Sequence, residues 1–511
     1  MSVSRSETPR SRRLPKSPSA APQSPVAWET FFLAAGKLDR AVNDLRRRAP
    51  QFSAATRSPL WQRILLLLAP SAVTAGLIGI DHAGDSLCTV ALALPFLMVA
   101  GIRIAAVCHA FWHVPEGIEA FACDRRFDDR LPSYSVLVPL YKEQLIVPGL
   151  VQAMARLDYP GDRLEILFVT EEDDQPTRNA LIQAGLRSNM RIVTVPTGQP
   201  RTKPRALNYA LQDARGMLVA VYDAEDIPET DQLRRAAEAF IEGGPRLACV
   251  QAQLGIYNGD QSFFSRQFAL EYSALFRGLL PALEYLNLPI PLGGTSNHFR
   301  RDLLLKCGGW DPYNVTEDAD LGIRLARLGY EVSIIHSETS EEAPATWKTW
   351  RGQRTRWIKG WMQTYLVHMR RPVRLWRDLG GWRFAGFQVI IGGMVFSILV
   401  HPWFYVLALM HGLGGGQVTP SGAFLRWVCG VNLATGYCAA WLLTFVTAMR
   451  SGSPLRLISA IWLPLYWLAI SWAAYRALVE FIFKPFHWEK TTHGLAGSHQ
   501  RDARKPNRKS A

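Results

Sequence analysis

Three groups of acidic residues and one basic, aromatic segment supply the residue types that could do chemistry in this 511-residue chain. Asp173 and Asp174 follow an apolar run ending at Thr170. Asp223, Glu225 and Asp226 follow another run, in YDAEDIP, and Glu317, Asp318 and Asp320 follow Thr316. Carboxylates this close repel one another unless a cation joins them. An all-oxygen set suits Mg2+ or Mn2+, which typically keep substrate phosphates in their coordination shell. The competing account of a single cluster is a solvated turn. For the third cluster it is a helix start, capped by Thr316, with the acids at the positive end of the helix dipole. The fourth element is WRGQRTRWIKGW, residues 350–361. In a helix, Gln353 and Trp357 share a face, as do Trp357 and Trp361. Guanidinium forks bind phosphate oxygens, and indole rings give flat surfaces for a sugar. An amphipathic helix at a membrane headgroup layer would use the same residues.

The elements around these groups predict how they are held. SVLVP, EILFVT, RIVTV and MLVAVY are short apolar strands, and helical patterns such as 145–157, 205–214 and 319–328 fall between or after them. Strands alternating with helices imply a parallel α/β sheet covered on both faces, with ligands at the carboxyl ends of the strands.

Both flanks of this domain are apolar. Runs at 64–80 and 87–112 read as a transmembrane hairpin, with Arg103 obliged to snorkel or pair inside the second. Runs at 384–410, 427–449 and 455–483 follow the domain. Basic residues beside them place both termini and the α/β domain on the cytoplasmic side, which needs an even number of crossings. One run must therefore be broken or re-entrant, with Pro402 and Pro464 as candidate breaks.

The resulting layout is a disordered basic tail (1–26), an amphipathic juxtamembrane helix lying on the membrane (27–60) and a hairpin (61–112). The α/β domain (130–346), an interfacial segment (347–373), a C-terminal membrane bundle (384–483) and a basic cytoplasmic tail (484–511) complete it. A net charge of +14, gathered at the ends and beside apolar runs, fits an anionic membrane and not nucleic acid. Seven cysteines with no CxxC pair predict reduced, mostly buried thiols. A transporter would need polar groups near the bilayer midplane and usually internal repeats. Here they converge in a soluble domain.

The ordered set SVLVPLYKE, EEDDQPT, TKPRALN, YDAEDIP, GGTSNHFR, TED and QRTRW resembles the membrane-embedded, cellulose-synthase-like family 2 glycosyltransferases of bacteria over residues 130–365. KPFHWEKTTHG (484–494) resembles the segment after their last membrane helix. The resemblance implies a GT-A-type, Rossmann-like cytoplasmic domain between transmembrane helices of the inner membrane. It implies a UDP-sugar donor, with UDP-glucose first, and a polysaccharide or lipid acceptor, with partner proteins possible for export. Pro139, Tyr141, Glu143 and Asp173 would line the uridine pocket, and Lys203 and Asn208 would lie near the diphosphate. Arg354 and Arg356 would also serve the donor. Asp223 opens the metal motif, in which Glu225 stands where the family has Asp, with Asp226 beside it. Asp318 matches the general base. Gly294, Thr295, His298, Glu317, Gln353 and Trp357 match the acceptor side. Attack by a base-activated hydroxyl opposite the leaving diphosphate inverts the anomeric carbon and gives a β-linkage. Export of a growing β-linked polysaccharide is the leading expectation. Single addition to a lipid is the alternative, and an inactive scaffold or receptor is a third.

Overall fold

The computed structural model describes residues 25–62, 64, 82–112, 125–413, 420–450 and 457–484. Nearly all of the first expected span (64–80), of the N-terminal tail and of the C-terminal segment lies outside the described residues.

Helix α1 (Pro25–Arg48) and helix α2 (His82–Trp112) precede the domain. The domain then runs β1 (Tyr134–Leu140), α3 (Val147–Ala155), β2 (Leu164–Glu171), α4 (Gln175–Gln183), β3 (Met190–Val195), α5 (Lys203–Leu211) and β4 (Leu218–Val221). It continues with β5 (Ile227–Pro228), α6 (Gln232–Glu242), β6 (Leu247–Ile256), α7 (Phe263–Ala274) and α8 (Leu280–Tyr285). It ends with β7 (Asn297–Arg300), α9 (Arg301–Lys306), α10 (Glu317–Arg327) and β8 (Glu331–Glu341). Helices α11 (Trp347–His368), α12 (Pro372–Phe387), α13 (Met394–Leu413), α14 (Pro420–Arg450) and α15 (Leu463–Phe483) follow.

The strand order is β3-β2-β1-β4-β7-β6-β8-β5. β3, β2, β1 and β4 are parallel, as the alternating pattern predicts. β7 then runs antiparallel to both β4 and β6, so the sheet is mixed and not wholly parallel. Successive side chains of a strand point to opposite faces. Val136, Val138 and Leu140 of β1 accordingly pack in the cluster under α3 and α6, while Leu137 joins the opposite cluster with Leu207 and Leu211 of α5. Burial on both faces is why these strands read as continuous apolar runs.

Helix α1 departs from the expected surface-bound helix. Its Ala41, Val42 and Leu45 face is buried, Ala41 within the α5 cluster, and Lys37 pairs with Asp213 at 2.6 Å. Gly308, at φ +87°, leaves the space that Leu45 fills.

Four described helices are long and apolar enough to cross a membrane: Val90–Trp112, Pro372–Val406, Arg426–Arg450 and Ile458–Phe483. They leave Leu94, Met98, Leu442, Phe445 and Trp472 exposed, an apolar belt that lipid would cover. The break in the 372–406 segment falls at Gly380 (φ +74°), whereas Pro402 lies inside α13 and Pro464 opens α15. Among the described residues Cys108, Cys249, Cys307, Cys429 and Cys438 are unpaired, and Cys438 is exposed.

Candidate active site

Three adjacent strand ends converge. β1 leads into Tyr141 and Glu143, β2 into Asp173, and β4 into the 223–226 turn. On the β2 side, Arg201 donates to both Asp173 (2.7 Å) and the Tyr141 hydroxyl (3.0 Å), and its guanidinium lies 5.5 Å from the Tyr141 ring. Asp174 instead caps α4, accepting from Thr177 N (3.4 Å) and Lys142 N (2.5 Å). Pro139 stays within β1, opposite Val169.

Lys203 opens α5, pairs with Asp223 and donates to the Gly294 carbonyl at 2.7 Å. Burial alone would lower this ammonium, but the carboxylates of Asp223, Glu317 and Asp318 outweigh it and hold its pKa above the lysine range. A Cβ on Gly294 would stand 3.1 Å from Asp318 Oδ2, so the missing side chain leaves the approach to Asp318 open. Asp318 accepts from Ala319 N at 2.7 Å. Burial raises its pKa, which moves a carboxylate toward the basicity wanted of a base.

Burial and the negative charge of Asp223 push Glu225 up to about 8, and burial with Asp318 pushes Glu317 up to about 8. Asp226 is raised well above its usual range by burial, Asp223 and Glu225. Its Oδ2 accepts from Asp223 N (2.6 Å) and from the Thr295 hydroxyl, while Oδ1 is buried with no partner. Among the described residues no three His, Cys, Asp or Glu side chains form a ready-made metal cage. Crowded carboxylates with an unpartnered oxygen nevertheless fit a hard divalent cation whose shell a diphosphate completes.

Helix α11 forms the other wall. Arg356 faces the acids: burial lowers its pKa, and Glu317, Asp223, Asp318 and Glu225 oppose that shift. The same helix grips the loop before α10. Gln363 accepts from Val315 N (3.0 Å) and donates to the Tyr313 carbonyl (3.1 Å), and Asn314 donates to Thr364 (3.1 Å). A Cβ on Gly360 would come within 2.4 Å of Thr316 Cγ2, so this contact needs glycine. Gly360→Ala is expected to push α11 off the start of α10, costing about 1–3 kcal/mol of stability. Turnover should fall further than donor affinity, which thermal melts and initial rates would check.

Several expected ligands sit elsewhere. Arg354, two residues before Arg356, forks onto both oxygens of Glu271 (2.7 Å each) and donates to Tyr466 (3.0 Å). It therefore ties α11 to α7 and α15, and its charge is already engaged away from the donor. Arg354→Leu is expected to lower the melting temperature through the stranded Glu271 carboxylate, with donor KM little changed. Asn208 donates to the Ala41 and Trp310 carbonyls (3.0 and 2.7 Å) and accepts from Trp310 N (3.0 Å), which makes it a brace. His298 is buried in β7 with Nδ1 2.7 Å from the Tyr134 hydroxyl, and burial lowers its pKa to about 3. It belongs to the core and not to an acceptor surface.

Trp357 packs on Phe268 (5.6 Å) and Tyr272 (6.2 Å), and with Arg354 it lines a cavity of about 230 Å³ among the membrane helices. Gln353 is buried beside them on α11, its Oε1 without a partner. In its lining, Phe96, His401 and Trp467 pack ring on ring with one another and with Phe404 and Tyr437. Sequence reading missed Arg201, Glu271 and Glu341. Glu341, at the end of β8, is raised well above its usual range by burial and the charges of Asp226, Glu225 and Asp223. Only the sheet brings it there. Arg201 directly precedes TKPRALN, and that adjacency was the one available signal.

A mixed α/β sheet with acids at successive strand ends and apolar helices on both flanks is a GT-A-like fold. Residues 218–419 match the model for glycosyl transferase family group 2. The chain is 29% identical over 295 residues to a probable glycosyltransferase, YdaM, of Bacillus subtilis, covering 55% of this chain and 69% of that protein. It is 30% identical over 246 residues to the beta-monoglucosyldiacylglycerol synthase of a Synechocystis strain, covering 47% of this chain and half of that protein. A solved mannosyltransferase of Pyrobaculum calidifontis, in complex with GDP-Man and Mn2+, superposes with a TM-score of 0.49 and 19% identity, covering 77% of this chain and 99% of that one.

Proposed function

We propose that this protein is a membrane-bound, inverting hexosyltransferase that moves a sugar, glucose first among candidates, from a UDP-sugar to a lipid-linked acceptor. The observation that carries this reading is Asp318, held at the start of α10 with Gly294 leaving its approach open and Arg356 facing the same acids. In it, Tyr141, Arg201 and Asp173 hold the uridine end, with Pro139 and Glu143 beside them. Lys203 and Arg356 face the diphosphate. Asp223, Glu225 and Oδ1 of Asp226 are the oxygens that would hold Mg2+ or Mn2+, which when bound stabilises charge on the leaving diphosphate. Asp318 takes the proton of the acceptor hydroxyl as that hydroxyl attacks the anomeric carbon, with Glu317 and Trp357 on the acceptor side.

The acceptor reading rests on the cavity beside Trp357, whose wall includes the packed rings of Phe96, His401 and Trp467. A cavity of this size suits a bound lipid headgroup better than a passing chain. The glycolipid-forming relative supports the same choice. A polysaccharide passed through the bundle is the second reading, favoured by the run of rings from Trp357 to Trp467. Membranes given labelled UDP-sugars and Mn2+ test both. No transfer from any donor rejects the function, and a ladder of long oligomers rejects the lipid reading.

A cytoplasmic catalytic domain in a bacterial inner membrane accounts for the topology. Helix α15 runs beside α11, joined by Trp350–Tyr466 (3.1 Å) and Lys359–Glu480 (3.4 Å).

The raised acids predict a pH dependence. Glu225 and Glu317 have folded pKa values of about 8 against 4.5 when free. The fold binds more protons than the unfolded chain between those values, so their stabilisation is present at low pH and lost as pH rises toward about 8. Without divalent ions the melting temperature should fall over that range, and added Mg2+ should restore more of it at the alkaline end.

A further inference from the structure

The membrane cavity contains more hydrogen-bonding capacity than the protein satisfies. Arg103, in the middle of α2, lines it and stacks on Trp467, its guanidinium carbon 4.7 Å from the ring centroid. No described residue gives Arg103 an ion pair. The one carboxylate in the lining, Glu271, has both oxygens held by Arg354 and also accepts from Tyr466 at 2.9 Å. Two arginines against one glutamate leave one positive charge in excess.

Two further polar groups lining this cavity are buried and without partners: Nδ1 of His401 and the hydroxyl of Ser397. Nε2 of His401 lies 2.7 Å from the Tyr437 hydroxyl, which lies 2.5 Å from that of Tyr405. When Tyr437 donates to Nε2, Nδ1 carries the proton and faces the cavity as a donor. A guanidinium, an imidazole N–H and a hydroxyl are three donors around one space. An intramembrane cation without a counter-ion is costly and marks a binding site for an anion. An acceptor-only anion with several oxygens satisfies all three and also neutralises the guanidinium charge, which a neutral sugar or a diacylglycerol cannot do.

We infer that this cavity binds the phosphate of an anionic lipid through Arg103, His401 and Ser397, so that the acceptor is a phosphate-bearing lipid. This rests on the proposed lipid-linked acceptor and names its class. The cavity sits between the bilayer helices and the α7 and α11 residues Glu271, Arg354 and Trp357. A lipid anchored there by its phosphate would present its headgroup hydroxyl toward Asp318, with the acyl chains left among the membrane helices.

Native mass spectrometry of the full chain in maltoside detergent tests this without relying on activity. The probes are dioleoyl phosphatidylglycerol, dioleoylglycerol and inorganic phosphate. The wild-type protein is expected to retain phosphatidylglycerol at least about tenfold better than dioleoylglycerol, and Arg103→Gln should abolish that preference. Ser397→Ala, which leaves the charge in place, should weaken it about threefold. Arg103→Gln should still bind UDP with Mn2+, which verifies the fold. If that variant does not fold, the wild-type preference and Ser397→Ala still decide the question.

Equal retention of the two lipids by the wild-type protein overturns the inference, as does an unchanged preference in Arg103→Gln or in Ser397→Ala. Inorganic phosphate binding as tightly as the lipid overturns the lipid as its source. Lipid retention as expected, with no transfer from any UDP-sugar, rejects the proposed function and leaves the site. Transfer with no lipid preference does the reverse.

Discussion

Asp318→Asn is expected to cut turnover by about a hundredfold or more while UDP binding persists. The substitution keeps the shape and the hydrogen bond from Ala319 N, and removes only the ability to accept a proton. Asp318 stands at the start of α10, where Thr316 packs on Gly360 and the preceding loop is held by Gln363 and Thr364. That support should survive the change, so the loss should appear in kcat and not in the melting temperature. Calorimetry of UDP binding beside single-turnover rates would separate the two. Near-normal turnover in Asp318→Asn moves the base elsewhere, with Glu317, whose pKa the charge of Asp318 raises, the next candidate.

Asp223→Ala should produce a comparable loss by a different route. Asp223 pairs with Lys203, and its charge helps to raise Glu225, Asp226 and Glu341. Removing it relieves that repulsion and deprives a cation of one oxygen. The apoprotein should therefore become more stable at neutral pH while metal-dependent UDP binding collapses. A metal supplies several kcal/mol of charge stabilisation to such a step, so turnover should drop on the order of a thousandfold. Melting curves with and without Mn2+ would read both effects. A variant that melted lower without metal, and still gained stability from Mn2+ and UDP as the wild type does, would remove Asp223 from the metal site.

The two expectations differ in how directly the residues revealed them. Asp223 follows an apolar strand, and a strand end in a sheet of this kind is where ligands bind. Asp318 opens a helix whose pattern is plain from its apolar spacing. Both lie where local sequence already fixes backbone direction. Lys203, at the start of α5, is legible for the same reason.

Other positions depended on contacts between distant segments. His298 and Asn208 have polar side chains that suit a binding site, yet one bonds to Tyr134 and the other to Ala41 and Trp310. Nothing within a few residues of either specifies those partners. The antiparallel insertion of β7 likewise follows from long-range pairing with β4 and β6 and not from strand propensity. α1 looked like a membrane-surface helix because its apolar face says only that something covers it. The partner proved to be the α/β domain.

Sequence alone determined the strand–helix alternation, the apolar flanks and the acids at strand ends, because periodicity and propensity act over a few residues. Tertiary structure decided which of the basic residues in QRTRW faces those acids. Residues two apart on a helix point in nearly opposite directions, so one of Arg354 and Arg356 had to turn away. Which one depended on where Glu271 and Tyr466 came to rest, and they fold against α11 from 83 and 112 residues away in the chain.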